Sequence, residues 1–276
     1  MRIRASRIVL RIFMVLVTLI VIYPFLWSIL SSFKTNTEFL ADPFSLPSHI
    51  SFDNYLRALE KSNILGNFLS SLIVVVLTLA LVVVFTVPAS YVLARFRFPG
   101  RRLVRIFFMS LIFVPVSLIM IPLFSFLSSL GMLNSRISLT LVYAAMLYPF
   151  SIFLLSGYMV GIPKSYEEAA EMDGAGLLRI LVSIIVPLSK SGLFTVILLD
   201  AMNAFNEYAV ALVLITDPGK QTIPVGIATL FEAQRYATDW GALFAALTIV
   251  IVPTVIFYVA GQKYLIEGVN AGGIKE

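Results

Sequence analysis

The residues able to do chemistry are few, and three of them share one apolar run. Asp200, Asn203 and Glu207 recur at i, i+3 and i+7, which at about 100° per residue keeps them within about 60° of one another on a helix face. A carboxylate at the centre of a bilayer costs roughly 2.5 to 3.5 kcal/mol, so the stripe must line a wet cavity or meet partners inside the protein. Carboxylates and amides exchange hydrogen bonds with hydroxyls. The stripe therefore suits either a path for a hydroxyl-bearing solute or a structural polar cluster between helices. Asn206 lies about 120° around the helix from Asp200 and serves a different neighbour. The chain has one histidine, His49, and no cysteine, which removes His-pair zinc sites, Cys nucleophiles and CxxC redox chemistry. Asp200 and Glu207 stand about two turns apart with no hydrolase motif around them. The segment Asp217-Pro-Gly-Lys220 lacks the upstream glycine and the Ser or Thr of a phosphate loop and reads as a turn. These absences predict a protein that breaks no covalent bond, binds no metal and holds no nucleotide of its own.

The elements that carry these residues are membrane helices. Of 276 residues 59% are hydrophobic and 13% charged, with a mean hydropathy of +0.97, which excludes a water-soluble globule and a disulfide-stapled fold. With about 20 apolar residues needed per crossing, the long runs predict an all-α protein with six spans over residues 9–33, 68–93, 103–130, 137–159, 192–214 and 240–260. Fourteen of the 20 Lys and Arg residues fall on the side that holds both termini, so the positive-inside rule makes the termini cytoplasmic. The first apolar stretch exceeds the roughly 7 to 15 residues of a signal-peptide core and predicts a retained helix. The net charge of +5 is explained by the membrane flanks, where anionic lipid is the partner and nucleic acid is not.

The connections are unequal. Outside, residues 34–67 carry turn signals at Asp42, Pro43 and Pro47, then a short surface helix through Tyr55 and Leu59. Inside, residues 161–191 have a helical logic of their own. Ser165 stands three residues before Glu168, the spacing of a capping box, and Glu167 and Glu168 lie at the positive dipole end. Gly174 suits a left-handed stop. A second amphipathic run through Leu177, Ile180, Leu181 and Ile184 leads to Pro187. Periodicity alone makes this helix-turn-helix a connector at the membrane surface. Prolines at 24, 88, 115, 122, 149 and 253 remove backbone donors inside the expected spans. Trp27 and Trp240 read as interfacial anchors or packing.

Glu168-Ala169-Ala170, then Gly174, Ile184 and Pro187, resembles the EAA loop of binding-protein-dependent ABC importer permeases, with Val186 where that family usually has leucine. Tyr91-Val-Leu-Ala-Arg-Phe-Arg-Phe-Pro-Gly100, Ser32-Phe-Lys-Thr35 and the tail from Gly268 to Lys275 resemble matching segments of the carbohydrate-importer group. Together they point to the smaller, maltose-permease-like subunit, a single permease domain over residues 1–276 in the plasma (inner) membrane.

The resemblance implies a set of partners: a homologous second permease, two cytoplasmic ATPase subunits that bind ATP and Mg, and an extracytoplasmic sugar-binding protein. It implies an EAA coupling loop at residues 161–191, between the fourth and fifth spans. There Glu167, Glu168, Ala169, Ala170, Asp173, Gly174 and Ala175 meet the ATPase. Glu168 makes the polar contact, the alanines allow close approach, and Gly174 sets the bend. A rigid helix seated in a moving partner transmits rotation to the spans. The tail near residues 271–276 resembles one that touches the ATPase pair. The implied cargo is an oligosaccharide or related polyol, with Asp200, Asn203 and Glu207 bordering its path. The outer loop at 216–239 reaches toward the binding protein through Gln221, Glu232, Gln234 and Arg235. A different class, a secondary carrier with Asp200 and Glu207 as its ion site, is the alternative.

Overall fold

The computed structural model describes residues 2–61, 63–233 and 239–272, and among them every regular element is helical. Two compact units emerge, Met1–Leu65 with Val225–Ile256, and Gly66–Pro224 with Phe257–Glu276.

The first unit contains α1 (Arg2–Ser31), α2 (Asn36–Ala41) and α3 (Asp53–Lys61), and Trp27, Phe39, Phe44, Trp240 and Phe244 form an aromatic cluster within it. Trp27 meets Phe244 edge-on at 5.1 Å, and Phe39 stacks on Trp240 at 5.3 Å, so both tryptophans pack. The turn after α1 is held by side chains. The buried Lys34 ammonium donates to the carbonyls of Asp42 (3.2 Å) and Pro43 (2.8 Å), and Trp27 Nε1 also donates to Pro43 O (2.9 Å). Asn54 Nδ2 donates to the carbonyls of Ser32 (2.7 Å) and Lys34 (2.8 Å) in the turn that follows α1. The expected surface helix is α3.

In the second unit, α4 (Ile64–Arg95) is followed by α5 (Arg101–Leu111), α6 (Val116–Ser129), α7 (Arg136–Val160), α8 (Ser165–Met172) and α9 (Leu177–Ile180). A π-helical turn at Leu181–Ile185 and the short α10 (Val186–Leu188) lead into α11 (Lys190–Asn206) and α12 (Ala209–Leu214). Then come α13 (Ile223–Ala233) and α14 (Trp240–Gly272), whose residues 225–256 belong to the first unit. Val9–Ser31, Ile64–Arg95 and Arg136–Val160 are each long and apolar enough to cross a membrane. Helix α11 lies along α7 at close range: a Cβ on Gly192 would stand 2.4 Å from the Tyr158 Cγ, so only glycine fits there.

Two of the expected runs are not straight helices. The stretch 103–130 is two helices, α5 and α6, bent by 97°. Pro115 stands at the break with φ −64° and ψ 128°; it lacks an N–H and disfavours helical geometry at Val114. The other five intraspan prolines sit inside helices that continue past them. The second broken run, 192–214, stops at Asn206 and restarts at Ala209. Leu177–Leu188 meets Lys190–Asn206 at 78°. The π turn just upstream of Pro187 absorbs the register left by its missing donor.

The capping box expected at Ser165 does not form. Lys164 is already helical at φ −65° and ψ −23°, and its carbonyl accepts from the N–H groups of Glu167 (2.9 Å) and Glu168 (3.1 Å). Ser165 therefore lies inside the first turn, whereas a capping hydroxyl must come from an extended residue ahead of it.

Candidate functional site

The α8 hairpin is built from its stop signal backward. Gly174 takes φ +77°; its N–H donates to Glu171 O (2.9 Å), and the Ala175 N–H donates to Ala170 O (2.9 Å). This is the paired closure of a Schellman motif, and it requires the left-handed residue that the sequence supplies. Asp173 caps the helix end and is exposed.

Helix α8 thereby gains two faces. Glu168, Ala169 and Met172 point outward, Met172 with 89% of its surface exposed. Ala170 packs inward with Val87, Tyr91, Met159 and Ile180. Glu167, expected beside Glu168, turns the other way. Its Oε1 pairs with Arg95 Nε at 2.5 Å, and its Oε2 accepts from the Tyr91 hydroxyl at 3.0 Å. Arg95, a membrane-flanking charge within the Tyr91–Gly100 segment, carries no expected partner in the sequence, and this contact is new. The signal was present in the i, i+4 spacing of Tyr91 and Arg95, which puts both on one face of α4.

The membrane stripe separates into two environments. Asp200 is fully buried against α7, where the Ser151 hydroxyl donates to its Oδ2 at 2.6 Å; it does not line the neighbouring cavity. Asn203 and Glu207 do line it. This cavity holds about 350 Å³ and is walled by Leu111, Val114, Tyr143, Met146 and Phe150 among others.

Glu207 stands beyond the end of α11 with extended backbone (φ −67°, ψ 128°), which corrects the expectation of three polar residues on one unbroken helix. Its carboxylate accepts from the N–H groups of Val210 (2.8 Å) and Ala211 (3.1 Å) and from the Tyr143 hydroxyl (2.6 Å). It caps α12 from the inside. First-turn donors of a helix have no intrahelical partner and favour an anion there. Asn206 turns back on its own helix, donating to Met202 O at 2.8 Å.

The loop after α12 is pinned by side chains. Asn134 Oδ1 accepts from the N–H groups of Thr216 (2.7 Å) and Asp217 (2.8 Å), and Arg136 donates to Gly219 O (2.8 Å). Asp217 pairs with Lys220 at 3.4 Å and accepts from the Gly219 N–H, contacts that hold its carboxyl below the usual range. The segment Asp217-Pro-Gly-Lys220 is a turn. Gln221 is buried and Glu232 exposed; Gln234 and Arg235 lie outside the described residues, as do 273–276 of the tail. No group of three His, Cys, Asp or Glu able to hold a metal occurs among the described residues.

Comparisons with known proteins agree with one another. The chain is 39% identical over 259 residues to the diacetylchitobiose uptake system permease protein NgcG of Streptomyces coelicolor, covering 94% of this chain and 86% of that one. It is 35% identical over 272 residues to the trehalose/maltose transport system permease protein MalG of Thermococcus litoralis, covering 98% and 97%. Among solved structures, it matches a chain of a bacterial ABC transporter involved in the import of the acidic polysaccharide alginate. That match has a TM-score of 0.82 and 26% identity, over 95% of this chain and 96% of that one. The model of the binding-protein-dependent transport system inner membrane component family matches residues 86–270. An all-helical chain with several apolar spans, it belongs to that family and is a permease subunit of an inner-membrane ABC importer rather than an enzyme.

Proposed function

We propose that the chain is one permease subunit of an ATP-driven carbohydrate importer. It crosses the membrane six times with both termini in the cytoplasm, and pairs with a homologous permease and two ATPase subunits that bind ATP and Mg. The cargo is an oligosaccharide or polyol delivered by an extracytoplasmic binding protein. Relatives named for diacetylchitobiose, trehalose/maltose and starch products support the substrate class. The charge bias across the predicted spans supports the orientation.

The observation that carries the mechanism is the two-faced α8. Glu168 and Ala169 are exposed on a helix whose other side is packed and whose end is locked at Gly174. Such a helix is a rigid surface offering a carboxylate to a cationic partner and small side chains for close approach. Movement of the seated ATPase then turns the hairpin and swings the spans between inward and outward openings. Asn203 and Glu207 border the solute path, supported by the cavity they share with Tyr143. Gln221, Glu232, Gln234 and Arg235 belong to the loop that faces the binding protein.

A carrier driven by an ion gradient through Asp200 and Glu207 has no support among the relatives, which are ABC permeases. Purification through an affinity tag in mild detergent tests the proposal. It predicts that an ATPase and a second permease copurify and that Glu168→Lys releases the ATPase. A chain recovered alone and still active in uptake would contradict it.

A further inference from the structure

The inward face of α8 makes contacts that the outward face does not explain. Arg95 ends α4, and its guanidinium reaches both sides of the turn that enters α8. It donates to Ile162 O at 2.7 Å, before the helix, and pairs with Glu167 in the first turn. Tyr91, one turn back on α4, donates to the other oxygen of the same carboxylate. The Arg95 and Glu167 side chains keep only 7% and 12% of their surface exposed, so water competes weakly for these bonds.

The end of α4 is itself stiffened. Arg101 donates from Nε and Nη2 to Leu93 O (3.1 and 2.7 Å), closing carbonyls that a helix leaves open. Phe96 packs edge-on against the Tyr91 ring at 5.7 Å. Residues 161–164 form the short turn between α7 and α8. The cluster ties that turn and the first turn of α8 to one membrane helix.

We propose that Tyr91, Arg95 and Glu167 are positioning residues that lock α8 to α4, so that a displacement of the hairpin moves the cytoplasmic end of α4 with it. The hydrogen bonds from Arg95 to Ile162 O and from Tyr91 to the Glu167 carboxylate are charge-assisted and directional enough to carry such a load, with the Arg95–Glu167 ion pair adding attraction beside them, and rigid-body motion needs a connection that does not yield. Without the cluster, the same push would bend residues 161–164 and be lost before reaching the span. The inference rests on the importer reading and deepens it: Glu168 holds the partner, whereas Glu167 holds the membrane helix.

The test uses the whole complex in lipid vesicles with ATP and the binding protein, comparing Glu167→Gln, Arg95→Gln and the double variant. ATPase copurification should stay within about twofold, while solute taken up per ATP hydrolysed should fall about tenfold, equivalent to about 1.4 kcal/mol. Because Glu167 acts through Arg95, the double variant should fall no further than Arg95→Gln alone. The native chain lacks cysteine, so spin labels at Met172→Cys on α8 and Val92→Cys on α4 report the joint directly. Their distance distribution should broaden in Glu167→Gln.

Unchanged uptake per ATP, effects that multiply in the double variant, or an unchanged distance distribution would each overturn the proposal. So would loss of the ATPase from a folded Glu167→Gln chain, which would assign Glu167 to the partner surface. If Glu167→Gln fails to reach the membrane, Tyr91→Phe carries the test. It removes one neutral donor and should lower uptake per ATP about two- to threefold; no change would overturn the joint. Failure of Glu168→Lys to release the ATPase bears on the importer reading and leaves this comparison separate.

Discussion

Replacing Glu207 by alanine separates a structural cap from a spare polar group. The carboxylate satisfies two first-turn N–H groups of α12, those of Val210 and Ala211, and the hydroxyl of Tyr143, a residue only 2% exposed. Losing a helix cap costs about 1 to 2 kcal/mol. Leaving a buried hydroxyl without its acceptor costs about 1 to 3 kcal/mol more, so Glu207→Ala should destabilise the second unit by about 2 to 5 kcal/mol. Glu207→Gln keeps a carbonyl acceptor and should lose about half as much.

The assay is denaturation of the purified complex in detergent, read by circular dichroism, with Tyr143→Phe in both backgrounds. If the hydroxyl is the orphaned group, Tyr143→Phe recovers part of the loss, and the double variant is more stable than the sum of the singles predicts. A Glu207→Ala protein within about 0.5 kcal/mol of the native one, or strict additivity with Tyr143→Phe, would refute the reasoning.

Two further outcomes follow from other sites. Asn203 is exposed on the wall of the 350 Å³ cavity, so Asn203→Leu should raise the apparent KM for uptake severalfold while stability changes by less than about 0.5 kcal/mol; unchanged uptake kinetics would remove Asn203 from the path. Just after α1, the Ser48 hydroxyl and the Thr35 N–H hold the Glu38 carboxyl at about 2 instead of 4.5. A depressed pKa means the folded loop favours the ionised form, so its stabilisation is whole above about 4.5 and drains away as pH falls toward about 2. Protection of the Asn36–Ala41 amides, taken relative to their intrinsic exchange at each pH, should fall as pH drops across that window in the native chain and stay level in Glu38→Gln.

Much of this molecule is legible from residue order because bilayer helices need long apolar runs, and nothing in the sequence competes with that signal. The left-handed stop at Gly174 is equally legible, since few residues other than glycine close a helix that way. What escaped depends on partners distant in sequence. Periodicity alone could not tell that Glu207 leaves the helix: the apolar run continues through 214, and the Tyr143 hydroxyl that helps hold it lies 64 positions away. Glu167 and Glu168 are neighbours of identical chemistry, yet one residue is a rotation of about 100° around a helix, and it is Glu167 that meets Tyr91 and Arg95 of α4. The missing capping box has the same origin: Lys164 enters the helix early, and the serine loses the extended geometry that its spacing implied.

The central claim is that energy enters through the outward face of the α8 hairpin, and uptake by the reconstituted complex measures it most directly. Labelled oligosaccharide should accumulate in vesicles only when ATP is hydrolysed, and Glu168→Lys should abolish accumulation while the chain remains folded in the membrane. Accumulation driven by an ion gradient through this chain alone, or undiminished ATP-dependent accumulation with Glu168→Lys, would contradict the account.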